Sequence, residues 1–431
     1  MPGLRDRLAQ QIPDLREEVR TLNKNHANAV ISEVTVGQAY GGMRGVKGLV
    51  CDTSVVDADK GLAIRGIPIG ELANRIPEEI FYLLCTGELP DAEALKSLQE
   101  DLRKRAQVPA YVWQVLKAMP EDSHPMAMFN TAILVMERES VFRRKYAEGI
   151  RKEEYWEAAL EDSLQLIAKL PAVAAGIYRM RTRKGEPISS NPKLDWAGDY
   201  VHMLGLPDPT GEFANLMRLY LTLHSDHEGG NVSAFTCHTV GSALSDPYYA
   251  VSAGLNGLAG PLHGLANQEC LIFVLGLRDK FKGVPSDEHL REYAWNTLKE
   301  GHVIPGYGHA VLRITDPRFT AFHKFGERVC PKDDIFRIVD RIFAIVPGVL
   351  TEQGKAKDPW PNVDAISGSL LYHFGLVEFD YYTVLFGVSR ALGMCAQLII
   401  NRALGTAITR PKSVSTQWIK ATVASTRSAV A

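Results

Sequence analysis

Residues 153–181, EEYWEAALEDSLQLIAKLPAVAAGIYRMR, form the longest stretch of the chain in which apolar side chains recur at helical spacing. Similar segments follow one another from about residue 69 almost to the C-terminus, and glycine or proline stands at most of the joints. The clearest of them are 79–87, 91–106, 124–139, 211–227, 231–244, 262–276, 286–299 and 381–403. Strands do not alternate with these helices, as a parallel sheet would require. The pattern therefore predicts an all-α protein.

The first 68 residues follow a different pattern. Apolar residues between positions 4 and 22 recur every three or four residues, which predicts a helix interrupted at Pro13. Between residues 31 and 68, the β-like runs ISEVTV, GLVCDTSVV and GLAIRGIPI are separated by glycine-rich turns. We therefore expect one small β element near the N-terminus.

Length and composition indicate a globular protein of two domains. The 431 residues exceed the size at which a single core keeps growing. A net charge of −2 gives no global attraction to nucleic acid or anionic membranes. No apolar run approaches the length of about 18 residues that a membrane span needs. Polar breaks at 277–285 and 351–363 mark the region between or around them as a candidate second domain.

Cysteine usage and the N-terminus bear on the compartment. The six cysteines are far apart and form no CxxC pair, which argues against a zinc cluster and is typical of a reducing environment. The first 18 residues contain four acids and no apolar signal core, which argues against a transit peptide. We expect a chain that is cytoplasmic or already processed.

The motif SDHEGGN, residues 225–231, places His227 at the end of an apolar helix. Asn231 is a good N-cap for the next helix, so His227 lies near a helix start that is suited to an anion. A structural histidine is the more common alternative. A metal site formed with His224 and His238 has less support, because the spacing is not His-x-x-x-His.

The motif NGLAGPLHGLANQE, residues 256–269, contains His263. Pro261 is suited to the first position of a helix, which would put His263 in the first turn. The helix dipole there opposes protonation, so we expect a neutral imidazole that can donate a hydrogen bond to an enolate oxygen. A structural role is the alternative.

Two further motifs carry groups suited to acid/base chemistry. In GYGHAVLRITDPR, residues 306–318, His309 can reach a carbonyl oxygen and Arg318 offers a planar fork to a carboxylate; a solvated surface loop is the alternative. In KAKDPWPNVDAISG, residues 355–368, Asp364 precedes a helical run. Helix capping is its default role, and a catalytic base is the other.

The arginines suggest an anionic ligand. Arg390 stands in the apolar helix VLFGVSRALG without an obvious local acid, and a buried guanidinium is costly unless it is paired. Arg410, in ITRPKS, is unremarkable by itself. There is no Walker loop, and GYGHAV lacks the strand–helix frame of a dinucleotide fingerprint. The histidines, the aspartate and the arginines together suggest acid/base work on a small polyanion.

Five stretches occur in the order found in citrate synthases: SDHEGGNVSA, NGLAGPLHGLANQE, PGYGHAVLRITDPR, PWPNVDAISG and LFGVSRALG. The chain resembles the type found in animal mitochondria and some bacteria, and the likeness covers nearly its whole length. The resemblance implies about twenty helices in two domains. The large domain would comprise 1–264 and 376–431, and the small domain, 265–375, would close over the active site.

The resemblance also implies the activity. Members of the family are acyltransferases of the tricarboxylic acid cycle, which condense acetyl-CoA with oxaloacetate through an enol and hydrolyse citryl-CoA to citrate and CoA. They need no metal or other cofactor, and they are homodimers whose active sites use both chains. The expected location is a bacterial cytoplasm or, after processing, the mitochondrial matrix.

By the same likeness, Asp364 is the base, neutral His263 stabilises the enol, and His309 donates to the ketone oxygen of oxaloacetate. Oxaloacetate and citrate would be held by His227, Arg318, Arg390 and, from the partner chain, Arg410. CoA would contact Arg44, Lys152, Val303, Gly306, Tyr307, Arg313, Lys355, Lys357 and Asn362. Lys152 stands where the animal enzymes carry an arginine, and Arg151 precedes it.

Two alternatives to this activity stay open. One is a 2-methylcitrate synthase, which performs the same chemistry on propionyl-CoA. The other is a non-catalytic, CoA-binding helical protein.

Overall fold

The computed structural model describes residues 1–309 and 311–428. These residues form a helical protein with one small sheet, as the sequence predicts. The α-helices are α1 (Leu4–His26), α2 (Val36–Tyr40), α3 (Pro77–Thr86), α4 (Ala92–Arg105), α5 (Ala110–Ala118), α6 (Pro125–Val135), α7 (Val141–Ala147), α8 (Tyr155–Arg181), α9 (Trp196–Leu204), α10 (Glu212–Leu223), α11 (Val232–Ser242), α12 (Pro247–Leu258), α13 (Ala266–Phe281), α14 (Asp287–Lys299), α15 (Pro317–Val329), α16 (Asp334–Gln353), α17 (Asp364–His373), α18 (Tyr382–Leu404) and α19 (Thr416–Ser428). Short 3-10 helices occupy Ile69–Leu72, Met136–Glu139, Lys152–Glu154 and Phe379–Tyr381.

The long helices α8 and α18 pack against each other at the centre of the molecule. With the turn before it, α18 forms a segment, Phe379–Leu404, that is long and apolar enough to cross a membrane, contrary to the expectation from the sequence. However, 83% of its most apolar window is buried inside the protein. A core helix of a globular protein has the same composition, and α18 is packed as one.

The β element consists of three short strands: β1 (Ser54–Asp57), β2 (Gly61–Ile64) and β3 (Ile67–Pro68). They pair antiparallel in the order β1-β2-β3, with Ser54 opposite Ile64. The predicted sheet is therefore confirmed for two of the three runs. The first run, ISEVTV, forms no strand; Thr35 instead caps the short helix α2.

Several predicted helix boundaries were wrong. The helix predicted at 211–227 ends at Leu223, so His227 lies beyond it. Helix α1 continues through Pro13, since a proline costs one backbone hydrogen bond and does not have to end a helix. The helix predicted at 262–276 begins only at Ala266 and runs to Phe281, into the stretch 277–285 that we expected to be a break.

The helices from α13 to α17 pack against one another, with α13, α15 and α16 each in contact with α17. They occupy the range 265–375 predicted for the small domain. The domain boundary itself stays a prediction.

Candidate active site

Arg390 is a buried cation on α18 that no carboxylate contacts directly among the described residues. Its guanidinium donates to the carbonyl oxygen of His224 (3.1 Å), to Asn231 Oδ1 (3.2 Å) and to Ser233 Oγ (3.3 Å). It also lies over the ring of Phe386, 4.8 Å from the centroid. Burial lowers its pKa to about 10, so the group stays charged at neutral pH. An unpaired buried guanidinium is a suitable place for an anionic ligand.

His227 follows α10 in an irregular segment and has an unsatisfied ring nitrogen. Its Nε2 is buried and has no hydrogen-bond partner among the described residues. Burial lowers its pKa well below the usual value, and the nearby Arg318 and Arg390 lower it further. Buried polar atoms are rarely left unpaired, so this neutral imidazole has room for a hydrogen bond to a ligand.

His309 lies beside His227, with ring centroids 5.9 Å apart. Its Nδ1 accepts hydrogen bonds from the backbone N–H groups of Val311 (3.0 Å) and Leu312 (2.9 Å). Burial, followed by the charge of Arg318, lowers its pKa. The neutral ring must therefore carry its proton on Nε2, which makes that nitrogen a donor.

Arg318 is buried in the first turn of α15, so the alternative of a solvated surface loop is wrong for this residue. Its Nη2 lies 2.7 Å from Asp316 Oδ2, and its Nε also donates to the same carboxylate. Asp316 caps α15 through the N–H of Arg318. The sequence analysis did not single out Asp316, although an aspartate directly before a proline is a signal for the start of a helix.

Asp364 is the first residue of α17, and its side chain does not cap that helix. The N-cap position is Val363, and Asn362 Oδ1 accepts from the N–H of Asp364 (2.9 Å), so the default interpretation of Asp364 as a cap is wrong. Its pKa is raised to about 6: burial is the main cause, Asp316 adds to the shift, and Arg318 and Arg390 oppose it. A carboxylate that is free of structural bonds and titrates near neutrality is suited to general-base catalysis.

His263 lies in the turn before α13 and not in its first turn, because that helix begins at Ala266. Its Nε2 accepts from the backbone N–H of Ser233 (3.2 Å) and lies 2.9 Å from Ser233 Oγ, which leaves the proton on Nδ1. Its pKa is lowered to about 4, by burial first and by Arg390 second. Both shifts favour the neutral imidazole that we predicted, but they come from burial and Arg390 and not from a helix dipole.

These groups lie close together, and we call the place where they meet the cleft. His227 is influenced electrostatically by Arg318, Arg390, His309 and His263, and Asp364 by both arginines. Of the two remaining histidines, His224 lies beside this arrangement: its carbonyl oxygen accepts from Arg390, and its ring stacks on Tyr220. His238 is hydrogen-bonded to Thr409 and Asn401. Among the described residues no group of three or more histidine, cysteine or acidic side chains could hold a metal ion.

The predicted CoA contacts fall into two groups. Gly306, Tyr307 and Asn362 belong to one hydrogen-bonded unit, in which Asn362 donates to the carbonyl oxygens of Gly306 (2.9 Å) and Gly308 (3.1 Å). The other six predicted contacts are exposed, and they are Arg44, Lys152, Val303, Arg313, Lys355 and Lys357. Arg313 lies on the same loop as His309 and donates to its carbonyl oxygen. No hydrogen bond or ion pair among the described residues joins the remaining five to the unit of Gly306, Tyr307 and Asn362.

Arg410 is not brought to the cleft. It is exposed on the segment between α18 and α19, where it lines a surface groove with residues 411–415 and Trp418.

The sequence analysis missed Ser233, which contacts both His263 and Arg390. Its only signal was a position two residues after the N-cap Asn231.

The comparisons with known proteins are consistent among themselves. The profile of the family described as "Citrate synthase, C-terminal domain" matches residues 42–412. The mitochondrial citrate synthase of Xiphias gladius is 50% identical over 428 residues, which cover 97% of this chain and 91% of the relative. The crystal structure of citrate synthase from Pyrobaculum aerophilum has a TM-score of 0.77 at 29% identity and covers 87% of this chain and 92% of that one. A ternary complex of the Thermoplasma acidophilum enzyme with carboxymethyl coenzyme A and oxaloacetate shares the fold, with a TM-score of 0.74 at 22% identity over 89% of this chain and 96% of that one.

Proposed function

The chain belongs to the citrate synthase family, and we propose that it joins acetyl-CoA to oxaloacetate in the cleft around Asp364. It is an acyltransferase of this family, with the family's all-α fold. The observation that supports the assignment of the site is that Asp364, whose side chain caps no helix and whose pKa is raised to about 6, lies near enough to the cation Arg390 for the two charges to interact.

Oxaloacetate carries two carboxylates, and in this proposal the cationic side of the cleft binds them. Arg390 and Arg318 would face the dianion, and Arg410 of the partner subunit would complete the set. The unpaired Nε2 of His227 would donate to the substrate, which would satisfy the one buried ring nitrogen that has no partner within residues 1–309 and 311–428. Fixed cations both neutralise and orient such a substrate.

The methyl group of acetyl-CoA would lie against Asp364, which takes one of its protons. A thioester α-proton is far less acidic than a carboxylic acid, so the transfer requires stabilisation of the enol oxygen. The Nδ1–H of His263 would supply that hydrogen bond, because its Nε2 is held by Ser233. The enol carbon then bonds to the ketone carbon of oxaloacetate, and Nε2–H of His309 protonates the new alkoxide. Water cleaves the resulting thioester to citrate and CoA.

The remaining parts of the proposal concern assembly and closure. The small domain, 265–375, would close over the substrates and exclude water before the carbanion forms. The phosphates or pantetheine arm of CoA would then contact five exposed basic side chains: Arg44, Lys152, Arg313, Lys355 and Lys357. The chemistry assigned to the side chains calls for no metal or other cofactor.

The compartment is proposed from the relatives. The Xiphias gladius relative is named as mitochondrial, which fits the matrix alternative. A bacterial cytoplasm stays a prediction.

Replacing Asp364 tests the assignment. We expect thiol release from acetyl-CoA only when oxaloacetate is present, and we expect Asp364→Asn to lower kcat by about 10²- to 10⁴-fold because the base is lost. Asp334→Asn is the matched control, since Asp334 is also the first residue of a helix, α16, but is exposed and paired with Arg337. An unchanged rate for Asp364→Asn would refute the role of Asp364.

The same assay separates the alternatives. One extra methylene changes transition-state binding by about 1–3 kcal/mol, so the ratio of kcat/KM for acetyl-CoA and propionyl-CoA identifies the preferred thioester. A protein that binds CoA but releases none from either thioester would be the non-catalytic alternative.

A further inference from the structure

Asp226 is a fully buried carboxylate directly before His227 that has no role in the chemistry above. Its Oδ2 accepts from Thr53 Oγ1 (2.6 Å) and Ser54 Oγ (2.8 Å), and its Oδ1 accepts from Gln397 Nε2 (2.9 Å). The three donors come from the region of β1 and from α18. The carboxylate is thus held from two directions by neutral groups.

The same contacts fix the backbone on both sides of His227. Ser54 Oγ accepts from the N–H of Glu228 (2.7 Å), and the N–H of Gly393 on α18 donates to the carbonyl oxygen of Ser225 (3.0 Å). A Cβ at Gly393 would collide with the Asp226 carboxylate, so α18 approaches this segment as closely as a glycine allows. The position of the His227 ring, whose Nε2 has no partner, therefore depends on these neighbours.

Asp226 also acts on Arg390 electrostatically, without a hydrogen bond to it. Of the charged groups that favour the ionised guanidinium of Arg390, Asp226 has the largest effect and opposes the lowering of the Arg390 pKa by burial. No direct ion pair forms between the two, because the hydrogen bonds of the carboxylate go to Thr53, Ser54 and Gln397. The N–H groups of Arg390 are therefore not consumed by a protein carboxylate, while the cost of a buried cation is reduced.

We infer that Asp226 is a positioning residue for oxaloacetate: it orients His227 and stabilises the charged Arg390 from behind, so that both side chains stay available to the substrate. This inference rests on the proposed function, in which His227 and Arg390 hold oxaloacetate. It assigns the SDHEGGN motif a second functional residue beside the histidine.

Steady-state kinetics of Asp226→Asn test the inference. We expect the KM for oxaloacetate to rise by about tenfold or more, because one buried donor loses its acceptor and Arg390 loses its compensating charge. The KM for acetyl-CoA should change by less than about twofold, because that substrate lies against Asp364 and His263. Simple electrostatics predicts the opposite sign, since removal of a negative charge near a dianion would tighten binding. A lower KM for oxaloacetate would therefore overturn the inference.

A charge swap provides the positive control. In the double variant Asp226→Asn with Gln397→Glu, the negative charge moves to the other end of an existing hydrogen bond. We expect the KM for oxaloacetate to return toward the wild-type value, and a double variant no better than the single one would count against the inference.

Ser54→Ala is a milder variant for the case that Asp226→Asn does not fold. It removes one hydrogen bond to the carboxylate of Asp226 and the hydrogen bond from the N–H of Glu228. It should raise the same KM by a smaller factor, and no change would count against the inference.

Asp162→Asn is the matched structural control. Asp162 is equally buried and also accepts three hydrogen bonds, from Ser140 Oγ and the N–H groups of Val141 and Phe142. It should lower the Tm and leave the KM for oxaloacetate unchanged. If Asp226→Asn behaves in the same way, its role is structural and the inference is wrong. If Arg390→Lys also leaves that KM unchanged, the proposed substrate site has failed and not merely the role of Asp226.

Discussion

Asp364 shows at the scale of one residue how function opposes stability. Its side chain makes no cap, and burial raises its pKa to about 6 from the usual 3.8. The folded protein therefore favours the protonated carboxyl more than the unfolded chain does. The stabilising effect of that preference is fully present below the unfolded pKa and is lost as the pH rises through about 6. Above that pH the ionised base is available for catalysis, and its buried charge lowers the free energy of unfolding.

We therefore expect Asp364→Asn to stabilise the protein increasingly as the pH rises. The span from 3.8 to about 6 corresponds to about 3 kcal/mol at pH 8, at about 1.4 kcal/mol per pH unit. About half of that cost is already present at pH 5, so the gain in the free energy of unfolding should be larger at pH 8 by about 1 kcal/mol or more. Urea unfolding of both proteins at the two pH values measures it. A gain that is the same at pH 5 and pH 8 would contradict the raised pKa.

The sequence predicted which residue types gather in the cleft, but not what sets their charge. His263 was expected to be neutral because of a helix dipole, whereas burial and Arg390 keep it neutral. Asp364 was expected to cap its helix, but it is the first residue of that helix, and its own N–H donates to Asn362. Both errors have one cause: local spacing identifies the start of a helix, but contacts such as Ser233 with His263 join residues 30 positions apart.

At the scale of elements, the glycine loop before His309 is held against the start of α17. Gly306 has φ +80°, and a Cβ there would lie 2.8 Å from both Cα and Cβ of Ala365 and 2.9 Å from Cys270 Sγ. Ala365 follows Asp364 directly. The loop can therefore approach the residue proposed as the base only because it has no side chain at this point.

Gly306→Ala should displace the start of α17 and lower kcat. We expect a loss of stability of about 2–4 kcal/mol, from about 1 kcal/mol of backbone strain and about 1–3 kcal/mol of overpacking. Activity and urea unfolding measured on the same preparation test both parts.

Gly301→Ala is the control that separates these contributions. Gly301 has nearly the same backbone angle, φ +82°, but a Cβ there would meet nothing within 4 Å. It should lose about 1 kcal/mol and retain kcat. Equal effects of the two substitutions would show that the contact with Ala365 does not matter.

Helical periodicity predicted the existence of the long elements better than their ends. The segment predicted at 153–181 became α8, Tyr155–Arg181, because its apolar stripe must be buried whatever surrounds it. The run ISEVTV has strand-forming residues, yet it forms no strand, because no neighbouring strand pairs with it among the described residues. A strand depends on a partner that the local sequence does not specify.

At the scale of the whole molecule, we propose that the oxaloacetate site is completed by a second chain. Arg390 and Arg318 reach the cleft, whereas Arg410 is exposed on a surface groove near the C-terminus. The resemblance that identifies the family predicts that Arg410 acts in the partner's site. A symmetric dimer would then have two sites, each built from both chains.

Mixed dimers of two inactive variants test this arrangement. One chain carries Asp364→Asn and keeps Arg410, and the other carries Arg410→Ala and keeps Asp364. If Arg410 acts in the partner's site, a mixed dimer has one complete site, formed by the intact Asp364 of one chain and the intact Arg410 of the other. Its second site lacks both residues. We therefore expect about half of the wild-type kcat per dimer from mixed dimers purified through two different affinity tags.

The opposite assignment gives a different number from the same sample. If Arg410 acts in its own chain's site, each site of the mixed dimer lacks one essential residue, and no activity returns. The two unmixed variants fix the baseline, and each should show a rate at least about tenfold below that of the wild-type dimer. Failure to isolate any mixed dimer would refute the proposed assembly itself. Because the Asp364 cleft is tested separately by its own variant, restored activity here depends only on which chain supplies the third cation.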